Sequence, residues 1–145
     1  MFINTSSLTI TCNTKPHTFN GSLTIQTCIP ESFTSTTPEE IVEFTKALEF
    51  KAIYITNSDS TQIPKNLAGF LPSLEFLTFI ESKLEEINEN SLKGLEKVLE
   101  LNLHNNKITK IDEKSFADLK NLRKLSLNAN RIAEIPENAF TELKN

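Results

Sequence analysis

The sequence predicts an α/β solenoid: stacked coils with short parallel strands along a concave face, preceded by a β-hairpin cap and a short helix. Two observations carry that expectation. The stretch LNLHNNKI (Leu101–Ile108) recurs as LSLNANRI (Leu125–Ile132), 24 residues downstream, and a fixed period of roughly 20–50 residues is the signature of a repeat architecture. Composition also shifts near Thr37. From Met1 to Thr37 the only charged residues are Lys15 and Glu31, and Thr and Ser dominate; from Pro38 onward charges are frequent among Leu and Ile.

The first element is the cap, residues 1–37. SLTITC (Ser7–Cys12) and SLTIQTC (Ser22–Cys28) alternate apolar and polar residues, as half-buried strands do. Between them, Asn20-Gly21 suits a tight hairpin turn. A two-residue turn pairs positions summing to 41, setting Cys12 opposite Ile29, one residue from Cys28, and forcing Lys15-Pro16 to bulge. A Cys12–Cys28 disulfide would close a loop worth roughly 3 kcal/mol in the chain-entropy model; the alternative is two buried free thiols. The second element is a short linking helix, residues 38–49. Thr37 caps it, Pro38 suits its first position, Glu40 completes a capping box, and Ile41, Phe44, Ala47 and Leu48 share one face.

Four units follow, 50–73, 74–97, 98–121 and 122–145. Positions four and six (Ile53/Ile55, Leu77/Phe79, Leu101/Leu103, Leu125/Leu127) point inward from a short strand while their neighbours point out. Position nine (Ser58, Ser82, Asn106, Asn130) sits where the chain must turn, and an Asn amide there can bond main-chain groups left unpaired. Positions eleven and fourteen (Leu84/Ile87, Ile108/Ile111, Ile132/Ile135) form the floor, and positions nineteen (Leu92, Phe116, Phe140) and twenty-two (Leu71, Leu95, Leu119, Leu143) fill the back. One coil cannot bury its own apolar side, so coils stack. The first unit departs most, with Ser60 in place of an aliphatic and Ala68 in place of Phe.

The pattern LxxLxLxxNxIxxIxxxxFxxLxx resembles the leucine-rich repeat family in its 24-residue extracellular form, over Phe50 to Asn145. The cysteine-containing cap is similar to that of extracellular members, and the whole arrangement resembles secreted or surface leucine-rich repeat proteins of insects. That resemblance implies a curved molecule whose concave sheet binds proteins, with no catalysis, in an extracellular setting of recognition, immunity or adhesion.

The outward strand residues then make the candidate binding surface: Ala52, Tyr54 and Thr56; Phe76, Thr78 and Ile80; Glu100, Asn102 and His104; Lys124, Ser126 and Asn128. Tyr54, Phe76 and Ile80 are expected to form an exposed apolar cluster beside a polar half, the make-up of a protein-binding hot spot. The alternative is that the cap folds over them. His104, near Glu100 and Asn128, reads as a solvated or interface histidine. Glu85, Glu86, Lys107, Lys110, Glu113 and Lys114 read as a solvated rim.

Composition excludes other classes. The net charge of −4 argues against nucleic acid, and no uncharged apolar run approaches the ~20 residues that span a bilayer. With 3 glycines there is no phosphate loop. The two cysteines fit neither a redox CxxC nor a zinc site, and no Ser-His-Asp set stands out. No catalytic residue, metal or cofactor is expected. Met1–Cys12 has neither the cationic start nor the apolar run of a signal peptide. The sequons at Asn4 and Asn20 favour secretion and are candidate glycosylation sites. Without a C-terminal cap, Leu125, Leu127, Ile132, Ile135, Phe140 and Leu143 are expected at an open end, exposing on the order of 5–10 kcal/mol of burial. A fragment, or self-association or pairing with another chain through that end, is the rival reading.

Overall fold

A computed structural model describes residues 7–9, 12–19, 23–30 and 41–43 by their backbone, and residues 51–63, 65 and 67–144. The 24-residue period becomes a parallel ladder. Strands β5 (Ala52–Thr56), β6 (Phe76–Ile80), β8 (Glu100–Asn102) and β10 (Lys124–Ser126) pair side by side, and each residue's partner among them lies 24 positions away, as in Leu77↔Leu101 and Leu125↔Leu101. Outside that sheet, β7 (Glu86–Ile87) of the second coil pairs with β9 (Lys110–Ile111) of the third, again 24 residues apart. A single-turn helix, α1 (Leu67–Phe70), lies at the back of the first coil.

The hairpin joins the sheet. Strand β3 (Leu23–Pro30) pairs in parallel with β5 and antiparallel with β2 (Cys12–Phe19), giving the order β10-β8-β6-β5-β3-β2. Its register corrects the two-residue turn. Phe19 pairs with Leu23, so three residues separate the strands, Cys12 faces Pro30, and Cys28 faces Thr14. Lys15 and Pro16 stay in the ladder, opposite Thr27 and Gln26, rather than bulging. Pro16 is tolerated because β2 is the outer strand, where a missing N–H need not break a second ladder. The cysteine side chains, Asn4 and Asn20 lie outside the described residues.

Two further expectations change. Ser7–Thr9 (β1) leaves the hairpin and pairs in parallel with β4, Ile41–Glu43. The linking helix over 38–49 is therefore a strand at Ile41–Glu43; the rest of it lies outside the described residues. Ile41 and Val42 are β-branched, and a pairing partner in β1 overrides the local capping signal.

Side chains at positions four and six fill the core: Ile53, Ile55, Leu77, Phe79, Leu101 and Leu103 are all buried, as are Leu84, Ile87, Ile108 and Ile111 below them. Ser60 is buried without penalty, since its hydroxyl donates to the Gln62 carbonyl at 2.7 Å and its N–H reaches the Ser58 hydroxyl. Leu125, Leu127, Ile132 and Leu143 are only partly buried, and Ile135 and Phe140 are 42% and 37% exposed.

Position eight carries a feature that apolar spacing does not reveal. Asn57, Glu81, Asn105 and Ala129 all adopt positive φ, between 53° and 55°. The strand leaves the sheet here through a left-handed turn, which costs a residue with a Cβ roughly 1–2 kcal/mol. Asn bears that best, and Ala129 has no such relief. Ala129→Gly should therefore stabilise the protein by about 0.5–1 kcal/mol, after the entropy glycine adds to the unfolded chain. Thermal unfolding checks this; a lower Tm would contradict the strain.

Candidate functional site: the concave sheet

The pleat decides which side chains face out. Positions three, five and seven of four adjacent strands share one surface, since side chains alternate and the register between coils is unshifted. The structure brings the sequence-derived residues together but not as an open apolar cluster. Ala52, Phe76 and Thr78 are buried; Tyr54, Ile80, Glu100, Asn102, His104 and Ser126 are partly buried; Thr56, Lys124 and Asn128 are exposed. Phe76 is only 6% exposed because it packs with Ala52, Tyr54 and Leu99 as a small second core. The expectation that Phe76 is an exposed anchor is corrected. Leu99, at position two, was missed; nothing in strand alternation alone places it beside an outward residue.

What remains open is a depression of about 240 Å³. Tyr54, Phe76 and Thr78 line one side, and Glu100, Asn102, Lys124 and Ser126 the other. Lys124 Nζ lies 3.4 Å from the Glu100 carboxylate, an inter-coil pair. Lys51 and Glu75 make a similar pair beside it at 2.7 Å. Tyr54 is pushed up to about 12, first by burial and then by the negative charge of Glu100. The surface therefore combines an aromatic wall, hydroxyls, an amide and a matched ion pair.

His104 is tied into a network of neutral side chains. Its Nδ1 lies 2.7 Å from the Asn128 side-chain amide nitrogen, and the Asn128 oxygen contacts the Ser126 hydroxyl. With Ser126 donating to Asn128 Oδ1, Asn128 donates to His104, which leaves Nδ1 as acceptor. The backbone N–H of His104, not its ring, donates to Asn102 Oδ1 at 3.0 Å. Among the described residues no carboxylate orients the imidazole; Glu100 is engaged with Lys124 instead. Among the described residues no three His, Cys, Asp or Glu side chains gather as a metal site, and no helix is long and apolar enough to cross a membrane.

Tyr54 offers a direct readout because it is the chain's one tyrosine, and there is no tryptophan. An absorbance titration should show a midpoint near 12 when folded and about 10 in denaturant. The sign follows: stability from this group is complete below about pH 10, where both states are protonated, and falls as pH rises through the folded value. Glu100→Gln should lower the folded midpoint by less than unfolding does, burial being the larger cause. A folded midpoint at the denatured value would contradict the buried wall.

The family model for leucine-rich repeats matches residues 98–145, the last two coils. Those two coils are leucine-rich repeats. Coil geometry extends the same repeat back through β6 and β5 at the same spacing. Among solved structures the repeats are similar to a chain of the Drosophila Toll–Spatzle complex, with a TM-score of 0.61 and 24% identity, over 65% of this chain. The likeness takes in 12% of that chain's length, so it shows the fold of a short stretch of leucine-rich repeats. No curated protein matches the sequence significantly.

Proposed function

We propose that this leucine-rich repeat chain is a non-enzymatic protein-binding module that recognises a partner through its concave sheet. One observation carries the reading: the depression between Tyr54 and Lys124 presents Thr78, Glu100, Asn102, Lys124 and Ser126 of successive coils beside the aromatic wall of Tyr54 and Phe76. Leucine-rich repeats are in general protein-interaction folds, and the Drosophila neighbour is itself described in complex with Spatzle, which supports a protein ligand and an extracellular setting of recognition. The same setting would suit a Cys12–Cys28 disulfide, with alkylation under non-reducing conditions as its check, and glycans at Asn4 and Asn20. In this reading Tyr54, Thr56, Ile80, Asn102, His104, Ser126 and Asn128 are contact residues, Glu100 and Lys124 set charge complementarity, and Phe76 and Thr78 support the wall.

The test places a photo-crosslinking side chain at Asn102 and, separately, at Lys93 on the back of the second coil. The same protein adduct should form from position 102, be competed by unlabelled wild type, and escape competition by Ser126→Arg. Equal labelling from both positions would sink the concave assignment. Phe76→Ala is a poor probe, since burial makes it a stability change.

The exposed Ile135 and Phe140 favour a second reading, pairing of two chains through the face of the last coil. Sedimentation velocity over a concentration series separates it: a mass that rises with concentration, and falls back in Phe140→Glu, supports pairing. A concentration-independent monomer removes it.

A further inference from the structure

The same position in successive coils lies one strand spacing apart, about 4.8 Å, so charges in a column interact directly. Several columns pair opposite charges across neighbouring coils: Lys51 with Glu75, Glu96 with Lys120, Glu100 with Lys124. Position ten does so only once. Asp59 pairs with Lys83 at 2.6 Å, but the column then continues through Lys107 and Arg131. Like charges so close repel, and a chain with net charge −4 gains nothing in solubility by stacking cations. The backbone fixes them there all the same: Lys107 N–H donates to the Leu84 carbonyl and Arg131 N–H to the Ile108 carbonyl, each at 2.9 Å.

No carboxylate among the described residues lies within ion-pair distance of Lys107 or Arg131. The positions flanking them along the chain, Asn105, Thr109, Ala129 and Ala133, are all neutral. Further down the column the sign reverses, with Asp59 below and Glu81 and Glu85 beside Lys83. The Asp59 carboxyl is held below its usual range, chiefly by its hydrogen bond and charge pairing with Lys83 and last by the field of Lys107. The cationic strip is therefore short, two coils long, with acid beyond it.

We propose that Lys107 and Arg131 form a docking strip for an acidic segment of a protein partner, on the flank of the coil where the chain leaves the concave sheet. Two carboxylates on one face of a peptide match its spacing, being about 5–6 Å apart on a helix at i, i+4 or about 7 Å apart at i, i+2 on a strand. The strip uses residues outside the concave depression, and it stands or falls independently of the reading above.

The test uses fluorescein-labelled octaglutamate as probe, with octalysine as control, followed by anisotropy at low ionic strength. Octaglutamate should bind, weaken as sodium chloride is added, and lose roughly five- to tenfold in affinity in Lys107→Gln/Arg131→Gln. The comparison variant Lys93→Gln/Lys114→Gln, altered at cations on the back of the coils, should bind like wild type. Equal loss in both variants, or no binding of octaglutamate at low salt, would overturn the proposal. So would heparin displacing the probe from wild type but not octaglutamate displacing heparin, since the strip would then belong to a polysaccharide.

Discussion

Asn106→Ala should destabilise the protein by about 3–5 kcal/mol, the loss of several buried main-chain partners at once. The Asn106 amide nitrogen donates to the Phe79 carbonyl at 2.8 Å, the Leu103 carbonyl at 3.0 Å and the His104 carbonyl at 3.2 Å, while its oxygen accepts the Leu84 N–H at 3.3 Å. These groups belong to two successive coils, so one side chain stitches each turn to the next. Asn106 is only 6% exposed, and water cannot readily replace it; each orphaned group costs roughly 1–3 kcal/mol. Asn130 makes the same pattern, to Leu103, Leu127 and Ile108, but it is partly exposed on the last coil and Asn130→Ala should cost visibly less. Denaturant unfolding of both variants measures the difference. Equal and small losses would mean that the asparagine column does not hold the turns.

Phe116→Ala should cost about 3–5 kcal/mol, transfer plus cavity, because the ring is fully enclosed. It stacks on Phe140 of the next coil with ring centres 5.4 Å apart and planes 27° apart. Phe140 occupies the same repeat position yet remains 37% exposed, so Phe140→Ala should cost less than half as much. The pair isolates burial from residue type. If both variants lose the same stability, the fourth coil is as well covered as the third, and the open face at Ile135 and Phe140 does not exist in solution.

The repeat was legible in the sequence because its determinants are local and periodic. Strand positions, the inward aliphatics and the stitching asparagines all follow from which residues recur every 24 places. The cap was less legible for the opposite reason. Whether the turn at Asn20-Gly21 holds two residues or three shifts every pairing by one, and nothing in the composition of β2 and β3 decides it. The helix expected over 38–49 rested on a capping box, a local signal that β1 pairing overrode at Ile41–Glu43. At the candidate site, strand alternation grouped residues that share one side of the sheet but could not find Phe76's burial. That depends on Ala52 and Leu99, neighbours supplied by two other coils. The left-handed turn at position eight escaped because Asn57, Glu81, Asn105 and Ala129 share a backbone conformation and no common side chain.

The concave surface exists only if the strands stack in parallel, 24 residues out of phase, so backbone contacts test the whole structure most directly. In a nuclear Overhauser experiment, the strand around Leu101 should show cross-strand contacts to the strands around Leu77 and Leu125, in the same chain direction on both sides. Contacts running in the opposite direction, or sequential helical contacts through Glu100–Asn102, would contradict the coil and the binding face built on it.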